Sequence, residues 1–204
     1  LAAVRCRLAA ATELSDSPLL PEPPPEEPEA PEEPEAPEGP DAPPYGSPSL
    51  TSAPEAGSQR LRDVINKGLT EEVILSGAGQ AFEGGWQKVK LYFMLGLPTE
   101  TEEDMREIPR LAEKIAERYY EIPKDKRNGK CQVTISTSFF VPKPLTPFQW
   151  APMYERGEYL ARAGIVNDEM KQQLNRKSLR YNWHEADVTV LEGFFARGDR
   201  RCAR

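Results

Sequence analysis

The sequence has few of the residues that bind metals or form disulfides. It contains three cysteines, Cys6, Cys131 and Cys202, and a single histidine, His184. No two cysteines have the spacing of a metal-ligand pair, and three cysteines make no even-numbered disulfide framework. Apolar runs are short, and none at the start of the chain has the length of a signal peptide or a membrane helix. These absences argue against a disulfide-stabilised secreted domain, and they predict reduced thiols in a cytoplasmic protein that has no membrane partner.

Residues 18–48 lack Lys and Arg altogether. This segment holds 13 of the 21 prolines and nine carboxylates, and Tyr45 is its only aromatic residue. Such a composition buries too little apolar surface to offset the entropy of ordering, so we predict a disordered Pro/Glu-rich linker. The linker accounts for the net charge of −7, because without it the chain carries about +2. Residues 1–17 remain an unassigned N-terminal segment.

The rest of the chain alternates between strand and helix patterns. β-favouring runs predict strands at 49–53, 88–95 and 132–141. Helical spacing and capping residues predict helices behind Ser58, from Thr70 to Gly84, over 102–120, and over 153–163 and 168–179, with Gly164 between the last two. Residues 188–195 suit either a strand or a helix. Strands joined by helices that are long enough for right-handed crossovers predict a parallel sheet, and hence an α/β fold or part of a barrel.

The loops at the carboxyl ends of parallel strands are where α/β folds bind ligands. Three such loops, 53–58, 96–101 and 142–150, are rich in Gly, Pro and polar residues. The first contains Glu55 and Ser58 and is followed by Arg60. A carboxylate suits ribose hydroxyls or amines, and an arginine suits a carboxylate. The alternative is that Ser58 only caps a helix and that Arg60 is solvated.

Four segments, in order, resemble one group of bacterial radical S-adenosylmethionine (radical SAM) proteins. They are SLTSAPEAGSQRLRDVINKG (49–68), KLYFMLGLPTETEED (90–104), FFVPKPLTPFQW (139–150) and RYNWHEADVTVLEGFFARGDRR (180–201). The resemblance implies that 49–152 form the C-terminal half of a TIM-like (β/α) barrel, about its last three strand–helix units. It further implies that 153–204 form a helical, family-specific C-terminal extension, and that a cobalamin-binding-type domain often precedes the barrel.

The resemblance also implies roles around the cofactor SAM. Glu55 and Ser58 would contact its ribose, and Arg60 would bind its methionine carboxylate. The adenine would be held by the strand end that contains Gly96, Leu97 and Pro98. Glu100 is predicted to be a helix-start carboxylate rather than a ligand contact. The next loop would wall the pocket, and its aromatic residues would either lie near adenine or substrate or pack in the core, namely Phe148 and Trp150.

The chain departs from the resemblance in two respects. The motif CxxxCxxC is absent, although three closely spaced thiolates are needed to hold a [4Fe–4S] cluster whose fourth iron binds SAM. The Gly-Gly-Glu segment that usually binds the methionine amine is absent too. In addition, relatives carry an aromatic residue where Ser52 stands, which predicts an altered inner wall of that strand. No metal ligand is therefore assigned, and a first residue that is Leu rather than Met favours a partial chain.

Two hypotheses follow. The first is a fragment of a radical SAM enzyme, whose complete form would reductively cleave SAM at a [4Fe–4S] cluster to start radical chemistry on an unknown substrate. This fragment is predicted to be inactive alone, and its partners would be SAM, the substrate and a missing N-terminal half-barrel or cobalamin-type domain. The alternative is a non-catalytic interaction protein, in which a degenerate half-barrel and an acidic Pro-rich arm bind another chain. Nucleic acid is not indicated, because the basic loop 124–130 has no interleaved aromatic residues.

Overall fold

Alternating apolar positions in four segments build one parallel sheet. The computed structural model describes residues 49–127 and 129–203, so the segments 1–17 and 18–48 lie outside the described residues. The strands are β1 (Ser49–Glu55), β2 (Lys88–Leu95), β3 (Gln132–Phe139) and β4 (Leu179–Trp183). They lie in the order β1-β2-β3-β4, and every neighbouring pair is parallel. The prediction of an α/β fold with a parallel sheet is therefore confirmed, with four strands instead of three.

Among the described residues, five α-helices connect or follow the strands. They are α1 (Gln59–Val64), α2 (Glu71–Glu83), α3 (Glu102–Glu121), α4 (Arg156–Met170) and α5 (Ala186–Arg197). Right-handed crossovers between consecutive parallel neighbours place their helices on the same face of the sheet. Accordingly, α2 packs beside α3, α3 beside α4, and α4 against α5. No helix in the described part of the chain combines the length and apolarity needed to cross a bilayer.

The predicted helix starts are confirmed by their capping hydrogen bonds. The Ser58 and Thr70 side chains accept backbone N–H bonds at the starts of α1 and α2. Thr101 and Asp104 form a reciprocal capping box at the start of α3. A proline inside a helix can bend it or delay its start. Nevertheless, α3 begins at Glu102 and includes Pro109 as a buried residue.

The core lies between the helices and one face of the sheet, which we call the covered face. Its β2 and β3 side chains are all less than 5% exposed, namely Val89, Leu91, Phe93, Leu95, Val133, Ile135, Thr137 and Phe139. They pack against the apolar stripe of α3, which includes Met105, Ile108, Leu111 and Ile115. Because strand side chains alternate, the residues between them form the opposite face. We call this the uncovered face, because its side chains are exposed or half-buried within the described residues. It comprises Ser49, Thr51, Ala53, Lys88, Lys90, Tyr92, Met94, Gln132, Thr134, Ser136, Ser138, Arg180 and Asn182.

The C-terminal part of the chain corrects several predictions. One continuous helix, α4, runs through Gly164, because a single glycine in a helix costs only about 1 kcal/mol. The helix predicted at 168–179 is wrong, since a short 3₁₀ turn there leads into β4. Residues 188–195 are helical, and β3 ends at Phe139 rather than at residue 141. The segment 153–204 is therefore not wholly helical, and β4 extends the sheet beyond residue 152 by pairing with β3.

Ser52 lies on the covered face rather than on an inner wall. It shares a cross-strand row with Leu91, Ile135 and Tyr181. It also borders a cavity of about 170 Å³ between β1 and α2, which is lined mainly by apolar residues such as Leu50 and Ile74. The predicted change of the inner wall is therefore wrong, and the small side chain instead leaves space under the helix layer.

Candidate functional site

The loop that follows β1 packs directly on the start of α3. A Cβ atom at Gly57 would lie 2.5 Å from the backbone nitrogen of Ile108 and 2.7 Å from the carbonyl oxygen of Asp104. Neither backbone atom can move away cheaply, so only glycine permits this approach. The close contact brings the loops at the ends of β1 and β2 together.

The Asp104 carboxylate joins these two loops. Ser58 Oγ and Arg60 Nε donate to Asp104 Oδ1, the latter at 3.2 Å, and Arg60 Nη2 forms an ion pair with Oδ2. Thr101 donates to Oδ2 through its backbone N–H at 2.8 Å and through its hydroxyl at 2.7 Å. Arg60 Nη2 also donates to the carbonyl oxygen of Thr99 at 2.8 Å. Burial alone would raise the pKa of Asp104, but the hydrogen bonds outweigh it and hold this pKa well below its usual range.

These contacts bear on the alternative interpretation of the first loop. Ser58 caps α1 by accepting the N–H of Leu61 at 3.1 Å, as the alternative predicted. Arg60 is half exposed but ion-paired with Asp104, so the prediction that it is merely solvated is wrong. The spacing of Thr101 and Asp104 is that of a capping box, but no local pattern indicates the bonds of Asp104 to residues 46 and 44 positions earlier.

Glu55 has a different partner. It ends β1 after an irregularity in the pairing of β1 with β2, and its φ of 69° lies in the left-handed region that non-glycine residues seldom adopt. Its carboxylate Oε1 lies 3.2 Å from Lys67 Nζ. Glu55 and Asp104 thus anchor the two ends of the same loop to separate cations.

Arg62 fixes the backbone of the loop that follows β1. This role was not predicted from the sequence. The Arg62 side chain is fully buried. Its guanidinium donates to the carbonyl oxygens of Ala56 (3.0 Å), Gly57 (2.7 Å) and Leu69 (2.9 Å), and to the side-chain oxygen of Gln59 (3.0 Å). Burial lowers the pKa of Arg62, although the neighbouring carboxylates oppose that effect. The backbone of 56–57 is therefore fixed by a buried cation whose hydrogen-bond acceptors are all uncharged.

The second loop turns at Gly96, as its composition predicted. Gly96 has a φ of 88°, and a Cβ atom there would lie 3.1 Å from the Tyr154 ring and 3.2 Å from the Tyr159 ring. Its N–H donates to Glu100 Oε2 at 2.7 Å. Leu97 is buried in a small cluster that also contains Ala56 of the first loop, and Pro98 is half-buried.

Glu100 closes this turn from inside the protein. Its side chain is 1% exposed, and Oε2 lies 3.3 Å from Nη1 of Arg162, whose side chain is 15% exposed. The Arg162 guanidinium lies 4.0 Å from the centroid of the Tyr154 ring. Burial raises the pKa of Glu100 to about 7, although the Gly96 N–H and the charge of Arg162 oppose that rise. The prediction of a helix-start carboxylate is wrong, because Glu100 binds α4 and its own loop instead.

A pocket of about 410 Å³ opens beside these loops. It lies between the carboxyl ends of β2 and β3, the loop 142–150 and α5. Its wall is mostly apolar, but it also contains the hydroxyls of Ser138 and Thr146. Lys143 Nζ and Glu192 Oε1 form an ion pair at 2.5 Å in this wall. The residues that line it include Met94, Ser138, Phe140, Val141, Thr146 and Phe148.

The two aromatic residues of the loop 142–150 have different environments. Phe148 is half-buried, packs edge-to-face on Phe140 with centroids 6.1 Å apart, and lines the pocket. Trp150 is 85% exposed and does not line the pocket. Core packing is therefore wrong for Trp150, and it lies in solvent.

A larger groove of about 760 Å³ lies at the other end of the molecule. It runs between α2 and the end of α3, and it mixes acidic side chains such as Glu72 and Glu83 with the cations Arg118 and Lys126. None of the residues singled out in the sequence for ligand binding lines this groove. Of the same residues, only Phe148 lines the strand-end pocket, whereas Glu55, Ser58, Arg60, Gly96, Leu97 and Pro98 do not. The strand-end pocket is the candidate site because it opens at the carboxyl ends of the parallel strands.

The two described cysteines, Cys131 and Cys202, do not form a cluster site. Cys131 is buried directly before β3, at the amino ends of the strands, and burial raises the pKa of its thiol to about 12. Cys202 lies in the last 3₁₀ turn, and Cys6 is outside the described residues. Within residues 49–127 and 129–203, no three His, Cys, Asp or Glu side chains come together as metal ligands. His184 is exposed, and its backbone N–H donates to the carbonyl oxygen of Thr137 at 2.9 Å.

Comparison with known proteins gives a relative that has no assigned activity. No protein-family model matches the chain. Over 156 residues the chain is 35% identical to an uncharacterized protein of Methanocaldococcus jannaschii. The match covers 76% of this chain but 31% of the archaeal protein, so the chain spans about a third of that relative's length. The similarity therefore gives no name and no reaction to this chain.

Proposed function

We propose that residues 49–204 are the SAM-facing part of a radical SAM barrel, and that the strand-end pocket takes the adenosyl group of SAM. The proposal rests on which segments of the chain contribute residues to the pocket wall. Met94 and Phe148 belong to two of the segments that resemble radical SAM proteins, and both line the same pocket. The pocket is also at the carboxyl ends of parallel strands, where such folds bind ligands.

The strand arrangement supports a partial barrel. Consecutive parallel strands with their helices on one face are the repeating unit of a (β/α) barrel. In the described residues, β1 and β4 each pair on one side only, so both edges are available to further strands. The proposed fragment comprises four strands rather than the three predicted from the sequence.

The residues of the pocket fit an adenine ring. Phe148 offers an aromatic surface and Met94 a polarizable thioether, and both suit a flat heteroaromatic group. Glu55 and Arg60 are partly exposed, so each can reach a ligand by exchanging its present partner. In this proposal Glu55 takes the ribose hydroxyls, Arg60 takes the methionine carboxylate, and Ser58 keeps the loop in place.

The described cysteines do not fit a [4Fe–4S] cluster. Cys131 lies at the opposite end of the strands from the pocket and has a raised pKa, whereas cluster ligands are thiolates. Radical chemistry in a complete relative would depend on such a cluster, so we derive no step of SAM cleavage from these residues. The proposed function of this part of the protein is to bind and orient SAM.

The test is calorimetric titration of the full chain with SAM. We expect saturable binding that Phe148→Ala weakens about tenfold, since the stacking of a base on an aromatic ring contributes about 1–3 kcal/mol. Trp150→Ala is the matched control, because this side chain is 85% exposed and lies outside the pocket wall. The absence of SAM binding to the unmodified chain would contradict the proposal. Equal losses in both variants would show that the pocket is not the binding site.

A second experiment addresses the chemistry. After anaerobic treatment with iron and sulfide, we expect the chain to show no cluster absorption and to release no 5′-deoxyadenosine from SAM. A cluster that depends on Cys131 or Cys202, together with SAM cleavage, would overturn the assignment of a purely binding role.

A second candidate function is a non-catalytic interaction role. It is favoured by α5, which exposes a row of large apolar side chains that includes Val188, Leu191, Phe194 and Phe195. Light scattering over a range of concentrations tests self-association through this row. A mass above that of the monomer that Leu191→Glu abolishes would support the interaction role. A monomer throughout, combined with SAM binding, would favour the first proposal.

A further inference from the structure

The uncovered face of the sheet carries positive charge without negative charge. Its cations are Lys88, Lys90 and Arg180, and its other members are hydroxyl, amide or small side chains together with Tyr92 and Met94. No Asp or Glu occupies a position of this face. Such a surface is complementary to an anion.

The register of the sheet places two of these cations in one cross-strand row. Thr51 pairs with Lys90, Lys90 with Thr134, and Thr134 with Arg180. Neighbouring strands lie about 4.8 Å apart, so the Cα atoms of Lys90 and Arg180 are about 10 Å apart with a threonine between them. The next row toward the carboxyl ends of the strands adds the polar side chains Ser136 and Asn182.

These cations differ from those beside the helices in having no carboxylate partner. Arg110 on α3 pairs with Glu103, Glu107 and Glu169. Within the described part of the chain, by contrast, Lys88, Lys90 and Arg180 form no ion pair. The Lys90 ammonium lies 5.2 Å from the centroid of the Tyr92 ring, which is a weaker partner than a carboxylate. Like charges held in one row on a sheet repel, and a bound anion would offset that repulsion.

We propose that the uncovered face binds the phosphate group of a small molecule between Lys90 and Arg180. A phosphate monoester near neutral pH carries up to two negative charges and offers several acceptor oxygens. Two cations match that charge, and the hydroxyls of Thr134 and Ser136 supply further donors in the same two rows.

The role of this phosphate site as a substrate site rests on the proposed function. If the sheet is part of a barrel, the uncovered face lines its interior, and an enclosed interior admits a small molecule rather than a polymer. The row of Lys90 and Arg180 lies below the SAM pocket on the same face, since Met94 and Ser138 belong to both the face and the pocket wall. The inference therefore names the substrate class of that site as a phosphorylated small molecule.

The test is a titration of the ¹⁵N-labelled full chain with inorganic phosphate, followed by NMR at constant ionic strength. We expect saturable shifts that are centred on the backbone amides of Lys90, Thr134 and Arg180. Lys90→Ala and Arg180→Ala should each weaken phosphate binding about tenfold, as expected for the loss of a charged hydrogen-bond donor. Thr134→Val, which keeps the shape of the side chain but removes the hydroxyl, should cause a smaller loss.

Lys126→Ala is the charge-matched control. Lys126 is exposed in a 3₁₀ turn on the helix side of the sheet, where it lines the groove between α2 and the end of α3, so its loss should leave phosphate binding unchanged. Equal losses in Lys90→Ala and Lys126→Ala would reveal diffuse charge attraction and overturn the proposal. Acetate that binds at the same amides as tightly as phosphate would overturn the preference for phosphate. A single-stranded oligonucleotide that binds more tightly than phosphate and displaces it would overturn the assignment of a small-molecule ligand.

SAM titration of the same samples separates the two proposals. SAM binding without phosphate shifts would refute this inference and leave the proposed function standing. Phosphate shifts without SAM binding would refute the proposed function, and the site would then be a phosphate site on an open sheet rather than the interior of a SAM enzyme.

Discussion

The two faces of the same four strands differ in almost every physical respect. The row Ser52, Leu91, Ile135 and Tyr181 lies under the helices, and its two central residues are fully buried. The adjacent row contains Thr51, Lys90, Thr134 and Arg180 and lies open within the described residues. A shift of one residue along each strand therefore separates a core position from a binding position. The stability of the sheet depends on the covered face, which leaves the uncovered face free to carry ligand chemistry.

The charged side chains on the two sides of the sheet also differ in their partners. The covered side buries Arg62 and Glu100, and both are held by hydrogen bonds or ion pairs. The uncovered side exposes cations that have no carboxylate partner among the described residues. A buried charge needs such partners, because leaving it unpaired costs several kcal/mol. An exposed cation needs no such partner, because water solvates it. Unpaired cations are therefore found on the uncovered face, where they indicate binding of an anion.

The difference between the two faces is tested most directly by shortening two neighbouring side chains of β3, one on each face. Ile135→Ala should lower the free energy of unfolding by about 2–5 kcal/mol, because it removes fully buried methyl groups and leaves a cavity. Ser136→Ala, one residue further on the uncovered face, should change it by less than about 0.5 kcal/mol. Denaturant unfolding measures both values. Comparable losses in the two variants would mean that the uncovered face is also packed.

Arg62→Met tests the buried charge on the covered side. The substitution keeps much of the side-chain volume but leaves the carbonyl oxygens of Ala56, Gly57 and Leu69 without their donor. We expect a loss of about 3 kcal/mol, since a buried acceptor without a partner costs about 1–3 kcal/mol. Arg118→Met on the surface of α3 is the control and should change stability by less than about 0.5 kcal/mol. A neutral Arg62→Met would contradict the structural role of these bonds.

Glu100→Gln tests the buried carboxyl through the dependence of stability on pH. The pKa of Glu100 is raised to about 7 in the folded protein, so the folded state binds this proton more tightly than the unfolded state. Its stabilising contribution is full below about pH 4.5 and is lost as the pH rises through about 7, which amounts to about 3–4 kcal/mol in total. The variant should remove this pH dependence. Unfolding curves at pH 5 and pH 7.5 measure the effect, and parallel slopes in both proteins would contradict the raised pKa.

Ser52→Phe tests the cavity beneath β1 and should have the smallest effect. An aromatic side chain at this position points toward a space of about 170 Å³ under α2, so we expect a gain of about 1 kcal/mol. Thr51→Phe places the same ring on the uncovered face, where it finds no cavity to fill and should add no stability. Thermal unfolding compares the two variants. A stabilising Thr51→Phe, or a destabilising Ser52→Phe, would show that the faces are assigned incorrectly.

Local patterns predicted those elements whose signals agree with one another. β2 was found at its observed limits, and α3 differs by one residue at its end, because apolar periodicity and turn or capping residues mark the same boundaries. β4 was missed although Leu179, Tyr181 and Trp183 alternate, because the strand is short and its partner lies about 45 residues earlier. Its stability comes from pairing with β3, which no local window contains.

The meeting of the three strand-end loops at one edge of the sheet was predicted from the sequence, but the bonds between them were not. A parallel sheet brings the ends of its strands to one edge, so the three loops could be assigned to a common site from their sequence order alone. The bonds within that site, such as Ser58 to Asp104 and Glu100 to Arg162, join residues 46 and 62 positions apart. Each of these residues looks like an ordinary cap or surface charge when it is considered alone, so its partner is identified only once the fold is known.

Asp104 gives Arg60 an internal competitor. The guanidinium is occupied before any ligand arrives, since it donates to both oxygens of that carboxylate. A carboxylate ligand must displace Asp104, so its apparent affinity reflects the difference between two similar ion pairs rather than the strength of one. Anions that can accept only one hydrogen bond compete poorly with an acceptor that uses both oxygens. In the proposed SAM site, the loop would discriminate among anions through the Arg60–Asp104 bond that it must give up.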